Sequence, residues 1–296
     1  MIKIKVPAST ANMGPGFDSF GMALNLYNEF EFEEREKDII FLSEGKPSSI
    51  ALEENLIYNS MIKAFQKYNY EAKGMYINVS KAEVPFSRGL GSSATCIAAG
   101  LTAANYFMKG MMTEQDIIDL ATKIEGHPDN VVAAIKGGFD VSLFQGDKVT
   151  YSKIIPPEDL LFVALIPNFK MSTSDGRKVL PDEYCKKDCI FNISRAAMLV
   201  SSFYNKEYSH LRTCFDDKIH QPYRGPLING MAEIFKKAEA LGSYGEFISG
   251  SGSTLMAVIN KENITFGEKI NSFLQTTDIK WEVKVLKPDN TGVQIV

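Results

Sequence analysis

The residues best placed to do chemistry lie in Pro85-Phe86-Ser87-Arg88-Gly89-Leu90-Gly91-Ser92-Ser93-Ala94-Thr95. Two glycines precede two hydroxyl residues, and the apolar Ala94, Ile97, Ala98 and Leu101 follow, as in a tight loop opening onto a buried helix. Gly89 and Gly91 can take positive φ and leave no side chain between backbone and ligand, so consecutive N–H groups can turn towards one anion. The free amides and positive dipole end at the start of a following helix favour phosphate there. Ser92 and Ser93 can cap that helix, or their hydroxyls can reach a phosphate-bound Mg²⁺. The stretch alone therefore reads as a nucleotide-phosphate loop or as a capped helix after a tight turn. It is not a Walker A loop, because no Gly-Lys-Ser/Thr follows at the needed spacing, and it lacks the Gly-x-Gly-x-x-Gly order of a dinucleotide turn.

That stretch must be held by a chain of 296 residues, 45% of them hydrophobic, enough for one large domain or two modest ones. Lys and Arg are scattered, and a net charge of −4 argues against nucleic acid or an anionic membrane as the main partner. Cys96, Cys185, Cys189 and Cys214 show no Cys-x-x-Cys spacing, which points to free thiols in a reducing compartment. No apolar run approaches the roughly 20 residues of a spanning helix. Met1 to Val6 reads as a strand and not a signal peptide, so a cytoplasmic location is expected.

The positioning elements read as follows. Ile2, Ile4 and Val6 alternate with Lys3 and Lys5 in a half-buried strand, which gives way to a small-residue loop over residues 7–18. Strand patterns cover 22–32, 39–42 and 75–79, with a helix through Leu56, Met61 and Phe65. Helices follow over 93–109 and 113–125, the second capped by Thr113 with Asp116. A helix through Val131, Val132 and Ile135 ends at Gly137-Gly138, before a hairpin turning at Gly146-Asp147 and a buried strand over 160–167. Helices over 174–180, 190–204, 229–241 and 266–274 and strands at 245–249, 254–259 and 281–285 complete an α+β pattern. A soft boundary falls near residue 155, giving units 1–155 and 156–296 with no linker between them.

Three separated segments now coincide: Pro-Ala-Ser-Thr-Ala-Asn-Met-Gly-Pro-Gly-Phe-Asp at 7–18, the stretch at 85–95, and Gly-Glu-Phe-Ile-Ser-Gly-Ser-Gly-Ser-Thr at 245–254. Together they resemble the motifs of the GHMP small-molecule kinases. The opening segment and Glu125-Gly126-His127-Pro128-Asp129-Asn130 are most similar to the homoserine kinase branch of that family. The match is collinear over nearly the whole chain. Ser253 stands where many relatives carry proline, while Gly250, Ser251 and Gly252 still allow close backbone approach.

The resemblance implies a two-domain GHMP kinase fold, with a left-handed βαβ feature in an N-terminal ATP-binding α/β domain and a ferredoxin-like C-terminal α+β domain. It implies transfer of phosphate from ATP to the hydroxyl of L-homoserine, ATP lying on Pro85 to Thr95 and Mg²⁺ on Ser92 or Ser93 with Glu125. Asp119, earlier on the same helix, is the alternative carboxylate. The resemblance places substrate on Asn12, Asp18, His127, Thr173, Arg177 and Arg224. Asp18 suits an ammonium, Arg177 and Arg224 suit a carboxylate through forked hydrogen bonds, and Asn12 and His127 suit the hydroxyl end. Catalytic roles fall to Asp129, as a base if one is used, and to Asn12 and Arg177. Asn12 and Asp18 can also simply stabilise a turn, Asp129 can cap a helix, and His220 reads as structural. A homodimer is compatible with the chain. The competing functions are a sibling kinase acting on a mevalonate-type alcohol and a non-catalytic nucleotide-binding protein on the same scaffold.

Overall fold

In the computed structural model, which describes residues 1–296, the opening strand runs past the expected loop start to Ala11 (β1, Ile2–Ala11). Ala8, Ser9, Thr10 and Ala11 are buried and pair with Leu24, Ala23, Met22 and Gly21 of β2 (Phe20–Arg35), after a register shift between Pro7 and Ala8 that accommodates the missing proline N–H. The turn is therefore confined to residues 12–19. β2 is the spine: its outer half pairs with β5 (Gly74–Ala82) and its inner end with β6 (Phe139–Gln145).

β3 (Ile39–Ser43) lies parallel to β5, joined through β4 (Lys46–Pro47) and α1 (Leu56–Lys67), so this segment forms a βαβ unit. α2 (Ser92–Phe107), α3 (Glu114–Glu125) and α4 (Asp129–Lys136) follow. The hairpin of β6 and β7 (Lys148–Ile154) then closes the eight-stranded first sheet. Thr113 and Asp116 form the expected capping box of α3.

The second sheet takes the order β11-β8-β10-β9, all antiparallel, with β8 at Leu160–Pro167, β9 at Gly245–Ile248, β10 at Leu255–Asn260 and β11 at Trp281–Leu286. That order is the ferredoxin-like one, with α9 (Met231–Ala240) and α10 (Phe266–Leu274) packed on one face. Between β8 and α9 lie α5 (Thr173–Lys178), α6 (Lys186–Asn205), α7 (Leu211–Cys214) and α8 (Gln221–Arg224).

The period of two in β8 explains the missing linker. Val163 and Leu165 face α9 and α10, whereas Phe162, Ala164 and Ile166 share a core with Met22, Leu24 and Phe139 of the first sheet. The two sheets are thus joined by a continuous apolar layer, which a flexible linker would not serve. The chain also crosses back after β11: Asp289 accepts the Tyr27 hydroxyl and the amides of Thr291 and Gly292, and β12 (Gln294–Ile295) pairs with β1. The end of the 156–296 unit consequently belongs to the first sheet. No helix is long and apolar enough to cross a membrane.

Candidate active site

The loop before α2 takes the conformation its glycines permit, with Gly89 at φ +76° and Gly91 at φ +70°. No side chain caps α2, so Ser92 and Ser93 are not its caps and the first amides of the helix remain available. The loop is braced from both other motifs. Leu90 O accepts the Ser9 amide at 3.2 Å, Gly89 O accepts the Ser249 hydroxyl at 2.6 Å, and Arg88 O accepts the Thr254 amide at 3.0 Å.

Phe86, Ser87, Arg88, Gly89, Gly91, Ser92 and Ser93 line a cleft between the two sheets. The remaining members of the expected nucleotide stretch do not. Leu90 and Ala94 are buried in core, and Thr95 hydrogen-bonds Asn28 and Ser92 O, because the first turn of α2 rotates them inward; Pro85 lies outside the lining. The Arg88 side chain is committed to the carbonyls of Pro167 and Asn168 at the end of β8.

Across the loop, Ser93 Oγ donates to Glu125 at 2.5 Å. Glu125 ends α3, where Gly126 at φ +94° stops the helix. Burial pushes the Glu125 carboxyl up and Asp129 adds to this, against the Ser93 hydrogen bond and His127. Asp119, the alternative, is occupied elsewhere by Lys148, Gln115 and the Val149 amide and does not face the cleft.

Beyond Gly126 the chain turns so that His127 Nδ1 lies 2.5 Å from Asp129 Oδ1, which also accepts the Asn130 amide at 2.7 Å. Burial opposes protonation of His127, but Asp129, Glu125 and Asp18 outweigh it and raise the imidazole to about 9. His127 is therefore a cation among carboxylates at neutral pH. Asn130, which the sequence did not single out, accepts the Ser9 hydroxyl at 2.8 Å and also lines the cleft.

Asn12 stabilises the turn, as one reading expected, and also spans the cleft floor. Its Oδ1 accepts the Asp18 amide at 2.9 Å, and its Nδ2 donates to Gly250 O at 2.8 Å. Asp18 pairs with Arg177 at 2.7 Å, both side chains about one-third exposed. Thr173 begins α5 at the rim, next to Ser172 and Met171, two further lining residues without a sequence signal.

Arg224 is 2% exposed, and its three hydrogen bonds go to neutral acceptors: Gly176 O, Gly250 O and His220 Nδ1. Burial pulls its pKa down to about 10, and Arg177 adds to the effect. A buried cation held this way favours an anion in the cleft it lines.

His220 lies behind Arg224, fully buried, with Nε2 donating to Gly14 O at 2.8 Å. Burial lowers its imidazole to about 4, with Arg224 adding to the shift and Asp217 and Asp18 opposing it. The unfolded chain takes up that proton near pH 6.5. The stability that neutral His220 supplies is therefore complete above pH 6.5 and is lost as pH falls from 6.5 towards 4. Thermal midpoints measured across this window should fall with pH, and more steeply for the parent than for His220→Asn.

The sequence profile of the GHMP kinases N terminal domain matches residues 55–138, and that of the GHMP kinases C terminal domain matches 205–269. All of the chain aligns at 54% identity with the homoserine kinase of Clostridium novyi, covering 99% of that protein. At 55% identity it aligns with the homoserine kinase of Clostridium kluyveri, covering 98%. Among solved structures, homoserine kinase from Cytophaga hutchinsonii superposes with a TM-score of 0.89 at 26% identity, over 100% of this chain and 97% of that one. Mevalonate kinase from Methanococcus jannaschii, at 15% identity and a TM-score of 0.73 over 97% of this chain and 98% of that one, shares the fold.

Proposed function

The chain belongs to the homoserine kinases of the GHMP kinase family, and on that premise we propose that it transfers the γ-phosphoryl group of ATP to the hydroxyl of L-homoserine, in the cytoplasm, as a step towards threonine. Phosphoryl transfer asks mostly for positioning and charge stabilisation. The amides of Gly89, Gly91, Ser92 and Ser93 hold the phosphates, assisted by the start of α2. Ser93 and Glu125 offer hard oxygen donors side by side, and a carboxylate raised by burial gains from a cation, so the pair fits Mg²⁺. Mg²⁺ bound there would offset charge on the phosphates.

The observation that carries the amino-acid assignment is Arg224, a buried guanidinium with only neutral partners, facing the same cleft as the Asp18–Arg177 pair. A zwitterion matches that arrangement, its carboxylate to Arg224 and Arg177 and its ammonium to Asp18. A mevalonate-type alcohol has no ammonium for Asp18 to meet. Coupled ADP release should be fast with homoserine and at least about 100-fold slower with mevalonate, which lacks the ammonium, and with serine or threonine, which keep the zwitterion but hold the hydroxyl one carbon nearer the α-carbon and so out of line with the γ-phosphate. No turnover of homoserine would sink the assignment, and ATP binding without ADP release would favour the non-catalytic reading.

Asp129 stands beside His127 and Asn130 at the N-terminus of α4, with Asn12 across the cleft, and we assign it to the substrate hydroxyl. Asp129→Asn should lower kcat by about 100-fold, the lower range of proton-transfer assistance, while leaving KM for ATP in place. Near-normal turnover in this variant would remove the base role and leave positioning alone.

A further inference from the structure

His220 is absent from the cleft lining yet holds groups that form it. Its Nδ1 lies 3.3 Å from Arg224 Nη1 and its Nε2 lies 2.8 Å from Gly14 O. A guanidinium only donates and a carbonyl only accepts, so Nδ1 must be the bare nitrogen and Nε2 the protonated one. One neutral tautomer satisfies both bonds. The ring also stacks on Phe17 with centroids 5.6 Å apart, and the guanidiniums of Arg224 and Arg177 sit 5.2 and 5.4 Å from that same Phe17 ring. From behind, Asp217 accepts the amides of Ile219, His220 and Gln221 and fixes the backbone that carries the imidazole.

With Nε bonded to Gly176 O and Nη1 shared between His220 and Gly250 O, Nη2 is the part of Arg224 left for a ligand. We propose that His220 is a positioning residue for amino-acid binding: its Nδ1 lone pair accepts from Arg224 Nη1 and turns the Nη2 edge towards the substrate carboxylate. The proposal rests on Arg224 being the carboxylate anchor. It adds that the anchor is aimed by an imidazole in one tautomer, stacked against Phe17.

Two substitutions separate the two ring nitrogens. His220→Asn keeps an acceptor near the Nδ1 position and loses the bond to Gly14, whereas His220→Gln keeps a donor near Nε2 and loses the acceptor for Arg224. KM for homoserine should stay within about threefold of the parent in His220→Asn and rise about tenfold or more in His220→Gln, the scale of a hydrogen bond to a charged group. KM for ATP should be unchanged in both. If His220→Gln matches the parent, or His220→Asn is no better than His220→Gln, the proposal is overturned. Should either variant fail to fold, ¹⁵N spectra of histidine-labelled parent protein decide, with only three histidines to assign. A neutral Nε2–H tautomer of His220 at pH 7 supports the proposal, and an Nδ1–H tautomer or an imidazolium overturns it. Arg224→Lys, run alongside, tests the anchor separately. An unchanged KM for homoserine there removes the anchor itself, whereas a damaged Arg224→Lys with an unaffected His220→Gln removes only the role of His220.

Discussion

Gly89→Ala should cost at least about 100-fold in turnover, the scale seen when one preorganised hydrogen-bond donor to developing charge is lost or misplaced, and destabilise the protein measurably. A Cβ at this position would lie 2.2 Å from Ser249 O and 2.8 Å from Gly252 O, both of them backbone atoms that no rotamer change can move. The φ of +76° adds about 1–2 kcal/mol of strain for a residue with a side chain. Relief requires the 85–95 loop and the 249–252 turn to separate, which breaks the Ser249–Gly89 bond and widens the phosphate cradle. Gly110→Ala is the control. It carries the same left-handed strain, at φ +81°, with no atom within 4 Å of the new methyl, so it should lose about 1 kcal/mol of stability and no activity. Denaturant midpoints and ADP release for both variants check this. Equal activity in Gly89→Ala and Gly110→Ala would mean that the contact with the third motif has no part in the reaction.

Glu125→Gln is expected to lower kcat/KM by about 100- to 1,000-fold and to raise the Mg²⁺ concentration for half-maximal rate at least about tenfold. Gln keeps an oxygen that can accept the Ser93 hydroxyl and keeps the volume at the end of α3, so the fold should survive. What disappears is the negative charge, which burial and Asp129 already make costly to hold without a cation beside it. Titrating activity against Mg²⁺ at saturating ATP isolates the effect, and an unchanged Mg²⁺ dependence ends the assignment. Asp119→Asn should leave that dependence alone, because Asp119 faces Lys148 on another side of α3.

The sequence carried the long periodic elements well, since apolar repeat and burial have one cause. β8 at Leu160–Pro167 and α10 at Phe266–Leu274 have the expected limits. The inner half of β1 reads as loop in the sequence because Ala8 to Ala11 are small and buried on both faces, leaving no alternation to read. β12, α7 and α8 are two to four residues long, shorter than any hydrophobic period, and α8 is what carries Arg224 into the interior. Arg224 was named through family resemblance, and its burial against Gly176, Gly250 and His220 has no local signature. The loop motif likewise named a contiguous stretch, while the helical turn admits Ser92 and Ser93 to the cleft and withdraws Ala94 and Thr95. Glu125 is preferred to Asp119 through family resemblance, and the local pattern of α3 does not show that Glu125 meets Ser93 while Asp119 meets Lys148.

The three motifs are laced together by Gly250 N to Ala11 O at 3.0 Å, Ser249 Oγ to Gly89 O and Asn12 Nδ2 to Gly250 O, bonds that span up to 239 positions of chain. On the ribosome, where synthesis is vectorial, the phosphate loop emerges well before the segment that braces it. A nascent chain ending before residue 245 thus possesses every glycine of the loop and its bond to Ser9, but not the Ser249 and Thr254 bonds that hold it from the other side. Nucleotide bound to the fully braced loop therefore favours, by mass action, molecules whose sheets have already closed on one another.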